Sequence, residues 1–236
     1  MFLKKLFSKS GPQTIPYFDA FFGLAMKLSR SLPIPEWATG TPQNYTPREA
    51  VSLDLVRLEF ENTTLEWLAE SNGEKEVVLS PHIEEPLRKL LAEIGLVKLA
   101  RKLTIEAYEG RGEDWSPSPK ELGAIVSTYL KAWLCNSSPF VLLDLADILT
   151  EIGRITEAGE AVHVALKFPS YARIRTMNNM ELMALSFANE HFPPGRHHKA
   201  HPGLSPGIYS PEALSFLSEE AKAVLERLDG LPAGKR

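Results

Sequence analysis

Apolar residues recur along most of this chain at three- to four-residue steps, the period of an α-helix with one buried face. Phe18, Phe21, Phe22, Ala25 and Leu28 share one face of a helix predicted at about 16–31. Val51, Leu55, Leu58, Leu65 and Leu68 do the same from Pro47 to about Ser71, where Asn72-Gly73 ends the run. Further helices are predicted at about 81–94, 96–109, 119–134, 139–152, 154–168, 176–191 and 211–229. Strand alternation is nearly absent; Glu76 to Leu79 is a short extended piece that leads straight into a helix start.

The starts of these helices carry their own chemistry. Thr46-Pro47, Ser80-Pro81, Ser118-Pro119, Ser138-Pro139 and Ser210-Pro211 each precede an apolar run of helical period. A Ser or Thr oxygen at the N-cap accepts a bond from a backbone N–H that the helix leaves unpaired, and proline at the first helical position has no N–H to waste. Acidic residues follow in the first turn at Glu49, Glu84, Glu85, Glu121 and Glu212, where the helix end is positive. Gly95 and Gly153 are read as turns between paired helices, and Pro169 as a stop.

Composition narrows the class. The chain has 236 residues, of which 44% are hydrophobic and 24% charged, with a formal net charge of −4. That is enough to bury a core without metals or disulfides, and it excludes a wholly disordered chain, a collagen and a multi-span membrane protein. A mildly acidic balance exerts no global pull on nucleic acid. The single cysteine, Cys135, excludes an intramolecular disulfide and a cysteine metal cage. The opening Met1 to Gly11 has lysines but no apolar stretch of signal-peptide type. Ile15 to Leu32 is interrupted by Asp19, Lys27 and Arg30, so a cytoplasmic location is expected. The organisation read from these features is a leader at 1–14, one helical domain at 15–230 and a frayed tail at 231–236.

Two segments repeat one another. Residues 87–107 and 145–165, aligned without gaps, share Leu87 with Leu145, Leu91 with Leu149, Glu93-Ile94-Gly95 with Glu151-Ile152-Gly153, Ala100 with Ala158 and Ala107 with Ala165. Glycine permits a sharp turn between antiparallel helices, and alanine lets them approach closely. On these residues the chain resembles the tetratricopeptide (TPR) repeat family over about 81–109 and 138–169. In the second segment Leu145-Ala146, Leu149, Gly153, Ala158, Val162, Ala165 and Pro169 fall at or near the signature places, although Ala146 replaces a glycine and Leu149 and Val162 replace aromatics. In the first, Arg88 and Thr104 depart from the pattern, and the spacing of the two segments is not that of a tandem array.

The resemblance implies a concave surface that binds a peptide or helix of another protein. The places that would face it hold Phe140, Leu143, Asp147 and Glu151 in the second hairpin, and His82, Glu85, Lys89 and Glu93 in the first. These are not the cationic residues that clamp a C-terminal carboxylate in this family. A mildly acidic, partly apolar surface suits a basic amphipathic partner; the alternative is that Phe140 and Leu143 simply pack against the neighbouring helix.

Candidate chemistry is sparse. His191, His197, His198 and His201 form the one metal-like group, with zinc as the fitting ion. Pro193-Pro194-Gly195 before His198 and His201 and Pro202-Gly203 after them argue for a loop, which alternatively reads as an exposed basic stretch. No phosphate-binding, dinucleotide-binding or nucleophile-elbow glycine motif is present. Cys135 follows Trp133-Leu134 and reads as a core residue. In the leader, Phe2, Leu3, Leu6 and Phe7 oppose Lys4, Lys5 and Lys9, a pattern that fits weak contact with an anionic membrane surface or docking into the protein's own groove.

The sequence therefore predicts an all-α protein, an irregular α-solenoid or helical bundle of eight to ten helices with TPR-like hairpins. It acts as a protein–protein interaction adaptor or scaffold with no cofactor and no catalysis of its own. The alternative is a metal-binding protein or metal-dependent enzyme using the histidine loop. Within the second hairpin, Ala158 and Ala165 are expected at helix crossings, Gly153 at positive φ, and Glu157 and Glu160 facing water.

Overall fold

The computed structural model describes residues 16–35, 81–109, 116–170 and 211–231. Within them lie six α-helices and no strand: α1 (Pro16–Ser29), α2 (Pro81–Tyr108), α3 (Pro119–Asn136), α4 (Pro139–Glu151), α5 (Ile155–Lys167) and α6 (Pro211–Asp229). The all-helical class is as the periodicity predicts. Helices predicted at 47–71 and 176–191, the leader and the tail beyond Leu231 lie outside the described residues. None of the described helices is long and apolar enough to cross a membrane.

The caps behave unequally. Ser118 closes a capping box: its backbone N–H donates to Glu121 Oε2 (2.8 Å) and its Oγ accepts from the Glu121 N–H (3.3 Å). Ser138 occupies the N-cap of α4 without any side-chain cap bond. Its Oγ is buried without a hydrogen-bond partner.

One expected turn is absent. Residues 81–109 do not form a hairpin; α2 runs unbroken for 28 residues through Gly95. A glycine inside a helix costs only about 0.5–1 kcal/mol relative to alanine, and Ala92, Ile94, Leu96, Val97 and Ala100 keep burying apolar surface on both sides of it. At Gly153 the same Glu-Ile-Gly string does end a helix. There the glycine has φ +76°. Its N–H donates to Thr150 O (3.0 Å) and the Arg154 N–H to Leu149 O (2.7 Å), the paired bonds of a Schellman turn.

Packing centres on α3. Its last eight residues, Tyr129 to Asn136, are all buried, so it is enclosed on every side. Glu93 of α2 lies beside Asn136, and Arg101 of α2 beside Tyr129, so α2 and α3 run antiparallel. Two residues join α3 to α4, and the turn at 152–154 folds α5 back on α4. Helix α1 packs on α5, and α6 lies against both α4 and α5. Trp133 forms the hub: Phe21 stacks on it at 3.8 Å, with Tyr17 at 5.3 Å and Phe18 at 5.2 Å. Ala158 and Ala165 are fully buried, as expected. Glu157 and Glu160 are not simply solvated: Glu157 pairs with Arg154, and Glu160 with Lys27 of α1.

Candidate functional site

The surface expected along α4 is largely internal. Phe140 and Leu143 are fully buried, and Phe140 stacks on Phe216 of α6 with ring centroids 5.8 Å apart. Asp147 receives Arg227 of α6 at 2.7 Å. The line Phe140–Asp147 does meet an amphipathic helix, but that helix is the chain's own. Helix α6 presents Ala213, Leu217, Ala221, Val224 and Leu228, a stripe at three- and four-residue steps, all buried. Asp147 is partly exposed and Glu151, at the end of the line, reaches solvent; the Glu151 carboxyl is pushed up by partial burial and by the nearby Asp147. Glu85 and Lys89 are on α2, but their side chains lie outside the described residues, as do His191, His197, His198 and His201 altogether.

Next to Glu151 an apolar ledge stands in water. Ile105 and Tyr108, one turn apart near the end of α2, are 58% and 38% exposed. Partial burial raises the Tyr108 phenol, and the Glu151 charge adds to the rise. Lys102 and Glu106 pair across the outer side of α2 at 3.7 Å. The ledge thus combines two large apolar side chains with carboxylates, a composition the sequence pattern announced for α4 but not for α2.

A second polar cluster is buried where α2 meets the α3–α4 junction. Glu93 has no solvent exposure. Its Oε2 accepts the Ser138 N–H at 3.1 Å and its Oε1 accepts Asn136 Nδ2 at 3.4 Å. Burial pushes its carboxyl up from the ordinary 4.5 to about 8; the bonds from Ser138 and Asn136 oppose that rise and the Asp144 charge adds to it. Between Asn136 and Ser138 sits Ser137, at φ 55°. Its carbonyl accepts the Tyr17 hydroxyl at 3.4 Å, and that hydroxyl accepts Trp133 Nε1 at 3.2 Å. Cys135, whose Sγ lies 3.3 Å from Lys131 O, is buried, and burial raises its thiol. Such a thiol is protonated and inert.

Asp144 lies on the other side of this junction, held by Arg101 at 3.0 Å. The sequence signal for the cluster was the polar run Asn136-Ser137-Ser138 between two apolar helices, together with a glutamate inside Leu90-Leu91-Ala92-Glu93-Ile94. Neither a family model nor a curated protein nor a solved structure matches this chain.

Proposed function

We propose that this chain is a protein–protein interaction adaptor with no chemistry of its own, built on a TPR-like helical hairpin, α4–α5, within an irregular helical array. Its open binding surface is the ledge of Ile105, Tyr108 and Glu151, and its partner is a basic amphipathic helix of another protein. The observation that carries this reading is the exposure of Ile105 and Tyr108 on one face of α2, with Tyr108 under the influence of the Glu151 charge. Isolated exposed apolar side chains are ordinary, but two on one helical face next to like-signed charge make a surface with a sign. An apolar stripe flanked by lysines on the partner would cover both rings and neutralise the carboxylate. The face of α4 adds support, since it already accepts α6 through an aromatic stack and an Arg–Asp pair.

The test is an anisotropy titration of a fluorescent leucine–lysine amphipathic helical peptide against the full chain. Saturable binding that weakens about tenfold, or 1.4 kcal/mol, in Ile105→Asp and in Glu151→Lys is the expected result. Absence of binding, or wild-type affinity in either variant, overturns the proposal.

A further inference from the structure

We propose that Glu93 is a proton-controlled pin: protonated, it holds α2 on the α3–α4 junction, and its ionisation loosens that attachment. The geometry points to a neutral carboxyl. Glu93 is sealed from water, and it receives one good hydrogen bond, from Ser138 N–H, and one long one, from Asn136 Nδ2. An ionised carboxylate offers about four acceptor positions, so two donors leave much of the charge uncompensated in a medium that cannot solvate it.

Around the carboxyl, two buried polar groups have no hydrogen-bond partner: the Asn136 Oδ1 acceptor and the Ser138 hydroxyl. They belong to the two residues that Glu93 already touches. A protonated Glu93 supplies an O–H to the one acceptor-only group left unpaired there, Asn136 Oδ1. Rotation of the Asn136 amide, whose two ends are nearly isosteric, turns its oxygen toward that hydrogen.

The neighbouring charges do not rescue the anion. From α1 the titratable group is Tyr17, whose phenol is itself raised by burial. From α3 they are Cys135 and Lys131, both shifted toward their neutral forms by burial. From α4 it is Asp144, which carries the same sign as an ionised Glu93 and already holds Arg101 of α2. The folded-state carboxyl is raised from 4.5 to about 8. The folded protein therefore holds a proton that the unfolded chain releases. The stability tied to that proton is complete below about 4.5 and is lost as pH rises through about 8.

The consequence falls on α2, because the Ser138 N–H and Asn136 bonds fasten its middle to the junction and the Arg101–Asp144 pair lies two turns on. Denaturant unfolding of the full chain, measured between about pH 6 and pH 9, tests the proposal beside Glu93→Gln, a neutral isostere that keeps an acceptor for Ser138. In the wild type the unfolding equilibrium constant should rise by up to about tenfold per pH unit until about pH 8. In Glu93→Gln that rise should disappear. Amide exchange of α2, corrected for intrinsic rates, should quicken over the same window in the wild type alone. Equal pH dependence in the two proteins overturns the pin. Should Glu93→Gln fail to fold, carboxyl resonances of wild-type protein labelled with ¹³C-glutamate decide: one should titrate above about pH 6.5, and a spectrum with none overturns the proposal.

Discussion

Adding one methyl group at Gly123 should lower the melting temperature of this protein, whereas the same change at Gly159 should raise it. Both glycines are in helix interiors, α3 and α5, where alanine is better than glycine by about 0.5–1 kcal/mol. At Gly159 a Cβ meets nothing within 4 Å, so that gain is realised in full. At Gly123 a Cβ falls 2.6 Å from Pro33 Cγ, 2.7 Å from Cδ and 3.3 Å from its nitrogen. Carbon atoms are comfortable at about 3.5–4.0 Å, so the ring must retreat by about 1 Å.

Pro33 has no rotamer to escape into. Its neighbours are tied, Leu32 through its N–H to Leu28 O at 3.1 Å and Ile34 through its N–H to Leu32 O at 2.7 Å. Overpacking of this kind costs about 1–3 kcal/mol, which leaves a net loss of about 1 kcal/mol after the helix gain. For a chain of this size that is about 2–4 °C. Thermal melts followed by circular dichroism measure it, with Pro33→Ala alone and in combination. Removing the ring should abolish the penalty, so the double variant should be more stable than the sum of the singles predicts. If Gly123→Ala melts at or above wild type with Pro33 intact, the close approach of α3 to the segment after α1 is wrong.

Other expectations follow from the same packing. Gly153→Ala forces a side chain onto φ +76° and should cost about 1–2 kcal/mol in denaturant melts. Ala158→Leu and Ala165→Leu enlarge fully buried positions and should each cost about 1–3 kcal/mol; wild-type melting would mean that the α5 crossings are open. Ser118→Ala removes the acceptor of the Glu121 N–H and should cost about 0.5–2 kcal/mol, while Ser138→Ala, which breaks no cap bond, should cost distinctly less.

Five of the six described helices stand within a residue or two of where apolar period and Ser/Thr-Pro starts place them, because those signals are local. The failures are non-local. Glu93-Ile94-Gly95 and Glu151-Ile152-Gly153 are the same three letters, yet one continues a helix and the other ends it. The outcome turns on what surrounds them: Glu93 is drawn into the core by Ser138 and Asn136, while Glu151 reaches water and Gly153 can take the turn. The α4 surface failed similarly. Phe140 and Leu143 lie on one helical face, but α6, some seventy residues later, covers that face, and no short window shows it. Glu160 is expected to face water because its cation, Lys27, lies on another helix, whereas the Arg154–Glu157 pair, three residues apart, is local and within reach of the sequence.

The burial of Cys135 turns the lone thiol into a clock for the interior. Sealed at the end of α3 and held protonated, it can react with an aqueous disulfide reagent only during moments when the junction comes apart. With no second cysteine in the chain, each molecule yields one colour event, and its rate under native conditions is the frequency of that opening weighted by its lifetime. A bench spectrophotometer thus reads breathing at Cys135, beside Asn136 of the Glu93 cluster, with no label or engineered probe.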